Sequence, residues 1–419
     1  MKMNEEFKVT PWEVTGKVDY ARLIQEFGTE PIDDELLQRW KHVTGSIPMA
    51  MQRKIFFSHR NLKWLLDKYE RGEKFVLYTG RGPSGDTHLG HLMPWMFTKY
   101  LQDTFDVPLY FQMTDDEKYL SKDELSLKDA ISFSYENALD VIALGFDPKK
   151  TYIFSDLEYD KTLYRIAVEV AKRITFSTAK AVFGFDSSTN IGMIFFTSMQ
   201  SAPAFLPSVQ AGRNVPVLIP QAIDQDPHFR ITRDVAPKLG FYKPAAIHCT
   251  FLPSLAGSAK MSASLPETAI YTTDEPKTAR KKILSAFTGG RVSVEEQRKM
   301  GGVPDVCAVF QYYYYVFEED REKLSERERK CVGGEIMCGE CKQDLADRVV
   351  RFLEKHQEKR EEAKDKVLDY VVSDYSAVYD RLKRPQDKKE VARLKKTMKE
   401  YYSVKEGDSI LIKRTWELE

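Results

Sequence analysis

The sequence predicts an α/β protein: a Rossmann-like parallel-sheet domain with a helical insertion, followed by an all-helical C-terminal domain. Three observations carry this. The short apolar run Phe75-Val76-Leu77-Tyr78-Thr79 stops at Gly80-Arg81-Gly82-Pro83-Ser84-Gly85, as a strand ending in a Gly/Pro turn does. Leu89, Leu92, Met93, Met96, Phe97, Tyr100 and Leu101 then fall on one face of a helix. Val107-Pro108-Leu109-Tyr110-Phe111-Gln112 resumes strand character. Strand, helix, strand at this spacing is a βαβ unit with a right-handed crossover.

The remaining elements follow in order. Residues 1 to about 70 mix short periodic stretches with polar turns and read as an N-terminal appendage to the domain of residues 71–275. From about 113 to 213 the pattern is mainly helical, broken at Gly145-Phe146-Asp147-Pro148 and Asp186-Ser187-Ser188, which predicts the insertion. Val215-Pro216-Val217-Leu218-Ile219 and Ala246-Ile247-His248-Cys249-Thr250-Phe251 read as strands around a helical stretch from Phe229 to Leu239. Residues 276–380, rich in Lys, Glu, Arg and Leu, read as the helical domain, and residues 381–419 as a basic extension. Asp380 to Lys399 holds nine Lys/Arg against three Asp/Glu. That run fits a solvated helix face or an arm touching phosphates.

Composition sets limits on function. The 419 residues are 42% apolar, enough for a real core, and Lys+Arg and Asp+Glu both total 63. Any nucleic-acid surface is therefore a local patch. The opening MKMNEEFKVT lacks a signal-peptide core, and no apolar run reaches membrane-spanning length. A cytoplasmic protein with no membrane partner is expected. The five cysteines (Cys249, Cys307, Cys331, Cys338, Cys341) read as reduced thiols. Cys338 and Cys341 with Cys331 could hold zinc, but no fourth ligand is adjacent in sequence, so no metal site is expected.

Two motifs carry chemistry. His88-Leu89-Gly90-His91 sits where a strand gives way to a helix. A helix N-terminus offers free N–H groups and a positive dipole end to phosphate. Two imidazoles at i and i+3 share its first turn and can donate to oxygens gaining charge. Gly90 admits a flat ring close to the backbone. Lys260-Met261-Ser262-Ala263-Ser264 follows the last strand. One ammonium and two hydroxyls on a loop can reach a pyrophosphate leaving group. Both motifs fall at the carboxyl ends of strands, where open α/β sheets bind nucleotides.

These motifs resemble the two signatures of class I aminoacyl-tRNA synthetases, and Ala263 in place of a second Lys resembles the version in eukaryotic-type cytoplasmic tryptophanyl-tRNA synthetases. Val9-Thr10-Pro11-Trp12-Glu13-Val14, Ile55-Phe56-Phe57-Ser58-His59-Arg60, Tyr78 to Ser84, Gln112 to Leu120, Thr178 to Phe185 and Ala222 to Pro227 are similar to the same family. The likeness runs collinearly from about residue 8 to about residue 375.

The resemblance implies an ATP-dependent, magnesium-requiring ligase that joins L-tryptophan to tRNA(Trp). It implies that Tyr78 and Gln112 meet the indole N–H, and that Glu117 and Gln200 hold the ammonium. Gln225 would lie between amino acid and nucleotide. Arg81 and Lys118 would contact ATP with Gly90, Met261, Ser262 and Ser264, while His88, His91 and Lys260 act on the phosphates. It further implies a homodimer built through the insertion, and anticodon reading by the helical domain. Two local departures stand out. Ser84-Gly85-Asp86-Thr87 is one residue shorter than in many eukaryotic relatives, and Val292 follows Gly289-Gly290-Arg291 where a polar base-reading residue is expected. The alternatives are a tyrosyl-tRNA synthetase, a small-metabolite nucleotidyltransferase with the same His-x-Gly-His turn, and a catalytically silent relative acting as a binding protein.

Overall fold

The computed structural model describes residues 7–11, 14–16, 18–257, 260–261 and 265–374. Seven strands form one sheet. They are β1 (Glu30–Pro31), β2 (Phe56–Arg60), β3 (Val76–Arg81), β4 (Leu109–Met113), β5 (Thr151–Ser155), β6 (Val217–Ala222) and β7 (Ala245–Cys249). Their spatial order is β1-β2-β7-β6-β3-β4-β5. The five strands from β7 to β5 are parallel; β2 runs antiparallel to β7, and β1 antiparallel to β2. The chain starts the parallel sheet at β3, builds outward through β4 and β5, then returns to β6 on the other side. The strand order therefore reverses between β3 and β6, and a crevice opens outside their carboxyl ends.

The predicted βαβ unit is present. Helix α1 (Leu89–Phe105) buries Leu89, Leu92, Met93, Phe97 and Leu101 of the face the sequence periodicity marks, and Trp95 and Phe105 besides, while Met96 and Tyr100 of that face are half-buried. Trp95 meets Phe111 of β4 edge to face at 5.2 Å. Helix α2 (Asp115–Ser121) begins where β4 ends.

Three parts of the sheet differ from the sequence reading. β5 lies inside the span read as a helical insertion, because an apolar run of five residues does not separate strand from buried helix by periodicity. β1 and β2 belong to the stretch read as an appendage, yet they extend the sheet on the β7 side. The edge beyond β5 is completed by the end of the described chain: the N–H of Val372 donates to Ile153 O at 2.8 Å, and that of Ile153 to Tyr370 O at 2.9 Å. Such pairing is long-range and leaves no local pattern.

The second half is helical. The long helix α3 (Cys338–Lys366) packs along Pro276–Ser285 and along Leu127–Ala143. It is tied to the latter through a buried carboxylate: Asp140 accepts from His356 Nε2 at 2.9 Å and pairs with Arg360. Among the described residues no helix is long and apolar enough to cross a membrane.

Candidate active site

The crevice at the strand reversal is a cavity of about 290 Å3. It brings together Arg81, His88, Gly90, His91, Glu117, Lys118, Gln200, Gln225, Lys260 and Met261. Residues separated by up to 180 positions thus meet at one place, as both motifs predict. Ser262, Ser264 and the extension of residues 381–419 lie outside the described residues.

One end of the crevice is cationic. His88 caps α1 in extended conformation, and its ring stacks on that of His91 at 3.6 Å. A side chain on Gly90 would place its Cβ 3.1 Å from the His88 ring, so any larger residue there would push on that imidazole. Arg81, ending β3, donates from Nη1 to His91 Nε2 at 2.6 Å and from Nε to Asn137 Oδ1 at 2.9 Å. Burial, reinforced by the Arg81 charge, pushes His88 down to about 3 and His91 well below the ordinary imidazole range. Both rings are therefore neutral donors or acceptors. Positive charge comes instead from Arg81, held down to about 10 by burial and still protonated, and from Lys118 and Lys260.

Lys260 lies across from the imidazoles on the segment after β7. Its ammonium is 2.5 Å from Asp224 Oδ2 and 5.1 Å from the Phe251 ring. The Asp224 side chain is only 2% exposed, and its Oδ1 has no hydrogen-bond partner. An incoming phosphate would compete with this carboxylate for the ammonium. In the sequence Asp224 stands within Ala222 to Pro227, and nothing local marks it as the partner of a lysine 36 residues later.

The other end has a polar floor. Tyr78 in β3 and Gln112 in β4 are fully buried. The Tyr78 hydroxyl donates to Gln112 Oε1 at 2.5 Å, and Gln200 Nε2 reaches both Tyr78 Oη (2.8 Å) and Gln112 Oε1 (3.0 Å). The Gln112 amide nitrogen donates to the Asp156 carboxylate, lying 2.9 and 2.8 Å from its two oxygens. Asp156 thereby fixes which way the amide points: oxygen toward Tyr78 and Gln200, nitrogen away. Tyr78 and Gln112 do not line the cavity; Gln200 stands between them and it. Phe196, His228 and Phe229 form an aromatic wall beside Gln200, and Phe229 meets Tyr78 edge to face at 5.6 Å. Sequence reading missed this wall and Asp156, which stands 44 residues from Gln112.

Glu117 in α2 is buried, and its carboxylate pairs with Lys118 at 2.7 Å. Lys118 crosses directly over Gly82, where a Cβ would come within 2.2 Å of its Cε. Gln225 follows β6, with Nε2 at 3.5 Å from Pro11 O. The next residue, Asp226, is locked by Arg60 (2.8 and 2.7 Å) and by His248 Nε2 (3.0 Å), which fixes the chain at the end of β6.

Behind α2 lies a buried acidic group. Asp116 is pushed up to about 7 by burial and by the charge of Asp115; Asp156 is raised by burial and by Asp116. In the unfolded chain an Asp ionises near pH ~4. Between about pH 4 and 7 the folded protein thus holds a proton the unfolded one has lost, so stability falls as pH rises through that window and levels off above it. Asp116→Asn removes this contribution. Thermal melts should coincide with wild type near pH ~4 and run higher at pH ~8, by ~2–4 °C per kcal/mol recovered. Parallel curves at both pH values would show that Asp116 does not titrate in this way.

Comparison with known proteins gives concordant results. A sequence profile described as tRNA synthetases class I (W and Y) matches residues 70–354. The tryptophan–tRNA ligase of Thermococcus sibiricus is 53% identical over 365 residues, covering 86% of this chain and 93% of its own. That of Pyrococcus furiosus is 53% identical over 364 residues, with 86% and 93% covered. Among solved structures, tryptophanyl-tRNA synthetase from Plasmodium falciparum superposes with a TM-score of 0.78 at 41% identity, covering 82% of this chain and 94% of its own. The Encephalitozoon cuniculi protein bound to tryptophan does so with 0.78 at 38% identity, covering 85% and 98%.

Proposed function

The chain belongs to the class I tRNA synthetases of the tryptophan and tyrosine family, and from that membership we propose that it activates L-tryptophan with ATP and transfers it to tRNA(Trp). The observation that carries the reading is the crevice itself. Arg81, the imidazole pair and Lys260 meet there, beside an aromatic-walled slot with an amide and a phenol beneath it.

The mechanism asks for placement and electrostatics. A tryptophan carboxylate oxygen bonds to the α-phosphorus of ATP in line with the bond to the bridging oxygen. That bond breaks, and pyrophosphate leaves with the electron pair. Arg81, Lys118 and Lys260 face the charge that builds on the phosphates. His88, being neutral, offers a ring N–H without repelling the cations, while His91 accepts from Arg81 and holds its guanidinium at the crevice. Magnesium enters as the magnesium–ATP substrate. Bound with ATP, magnesium would neutralise part of the phosphate charge beside Arg81, Lys118 and Lys260. Glu117 exchanges its bond with Lys118 for one to the substrate ammonium, joined by Gln200. Gln225 lies between amino acid and nucleotide. The terminal tRNA hydroxyl then attacks the activated carbonyl, and AMP departs.

The same reading makes the protein a cytoplasmic homodimer joined through the helical region of residues 113–213. The helical domain after residue 276 reads the anticodon. Val292, fully exposed beside Gly289-Gly290-Arg291, offers only an apolar surface there. The relation to eukaryotic enzymes is supported by Ala263 and by the Plasmodium and Encephalitozoon structures, whereas the curated relatives named above are archaeal. We infer a type shared by archaea and eukaryotes.

Amino-acid-dependent exchange of labelled pyrophosphate into ATP tests the function. Tryptophan should support exchange and tyrosine should not. A tyrosine preference would assign the sister activity, and silence with every amino acid would assign a binding role.

A further inference from the structure

Near its carboxyl end, α3 reaches both halves of the phosphate-facing site without entering the crevice. His356, Gln357 and Arg360 lie within about one turn of that helix, and none of them lines the cavity.

Two of them act toward Arg81. Arg360 pairs with Glu136 at 3.4 Å and with Asp140, one turn apart on the helix Leu127–Ala143. His356 Nε2 donates to the other Asp140 oxygen at 2.9 Å. Asn137 shares that face, three residues before Asp140. Its Oδ1 accepts from Arg81 Nε at 2.9 Å, and its Nδ2 donates to Gly85 O at 3.0 Å. One amide thus holds both the guanidinium and the turn that leads into His88. Burial works against the Asp140 charge, yet His356 and Arg360 hold its carboxyl below the usual carboxylate range. That charge in turn opposes the burial that lowers Arg81.

Gln357 acts toward His88. Its Nε2 donates to Thr272 O at 2.8 Å and to Asp274 O at 3.0 Å. The His88 turn leans on this same stretch. Thr272 N donates to Thr87 O at 2.9 Å, Leu89 N donates to Ile270 O at 3.0 Å, and His88 forms an antiparallel bridge with Tyr271. Two groups that face the phosphates therefore take their places from one helix. Buried ion pairs are weak stabilisers, because both partners lose their hydration, so stability alone is a thin reason to bury Asp140 between His356 and Arg360.

We propose that His356, Gln357 and Arg360 are positioning residues for adenylate formation, a step taken from the tryptophan-activating reading above. Arg360 and His356 set Arg81 through Asp140 and Asn137, and Gln357 sets His88 through residues 270–274. The helical half thereby contributes to the first reaction step. Misplacing an oriented group by about 1 Å can cost about 10^2 in rate, so a small shift of this helix is enough.

Pyrophosphate exchange by the full chain at varied ATP and tryptophan tests this. Arg360→Met should lower kcat/KM for ATP by ~10–10^2 and leave KM for tryptophan within ~2-fold of wild type, because Arg81 faces phosphate. Arg360→Lys keeps a charge for Asp140 without the fork that also reaches Glu136, and should recover part of the loss. In an Arg81→Ala background, Arg360→Met should cost less than ~2-fold more, since the group it positions is gone. A merely structural role would multiply in either background. Full multiplication there, an equal rise in both KM values, or an unchanged kcat/KM for ATP in Arg360→Met overturns the assignment. Should Arg360→Met fail to fold, Gln357→Leu paired with His88→Ala carries the same comparison. A wild-type chain silent with tryptophan would overturn the underlying reading as well, whereas normal exchange in wild type with no shift in the variants overturns the positioning alone.

Discussion

Lys260→Ala should lower the turnover number for tryptophan-dependent pyrophosphate exchange by about 10^2–10^3, equivalent to about 2.7–4 kcal/mol of transition-state stabilisation. The size of the effect follows from where the ammonium lies before ATP arrives. Its partner is Asp224 at 2.5 Å, and its side chain is 39% exposed at the crevice mouth. Ground-state ATP must compete with that carboxylate, so moving Lys260 onto phosphate gains little before reaction. As the bridging bond breaks, negative charge gathers on pyrophosphate and the balance tips toward it. An interaction realised mainly at that moment lowers kcat and leaves KM for tryptophan nearly unchanged. Lys260→Arg keeps the charge without the reach of a compact ammonium and should recover only part of the loss. Steady-state exchange at varied tryptophan and ATP separates these outcomes. A rise in KM for tryptophan with normal kcat would place Lys260 in amino-acid binding instead.

The second large effect concerns Gln112. An analogue with sulfur in place of the indole N–H should be a poorer substrate than tryptophan by about 10^3 in kcat/KM, within the range for sites built to hydrogen-bond their substrate. Tyr78, Gln112 and Gln200 already satisfy one another, and the Asp156 carboxylate holds the Gln112 amide by its nitrogen. Tryptophan can replace Gln200 as donor to this acceptor. The sulfur analogue displaces the same bond and returns nothing, leaving a buried acceptor unpaired. Gln112→Leu removes the acceptor. It should cut kcat/KM for tryptophan by about 10^2–10^3 and shrink the discrimination toward ~10-fold. The substitution also strands Asp156 and Tyr78, so the folded fraction is checked by urea unfolding. Undiminished discrimination in the variant would remove Gln112 from the slot.

The βαβ unit was legible because Phe75 to Leu101 shows both periods and a Gly/Pro turn between them. β5 and β2 were not, since short runs such as Thr151–Ser155 take their identity from neighbouring strands. The site shows the same division. His88, His91, Arg81 and Lys260 announce themselves through local motifs and converge as expected. Their partners do not. Asp224 and Asp156 act on residues far along the chain. The protonation of the imidazoles was equally hidden, because it follows from burial next to Arg81 rather than from spacing.

A crystal structure with tryptophan and a non-hydrolysable ATP analogue puts the whole assignment at stake. The indole nitrogen should lie within hydrogen-bond distance of Tyr78 Oη or Gln112 Oε1, with Lys260 released from Asp224 onto the phosphates. Tryptophan bound elsewhere, or a nucleotide distant from His88 and His91 with Lys260 still on Asp224, would contradict it.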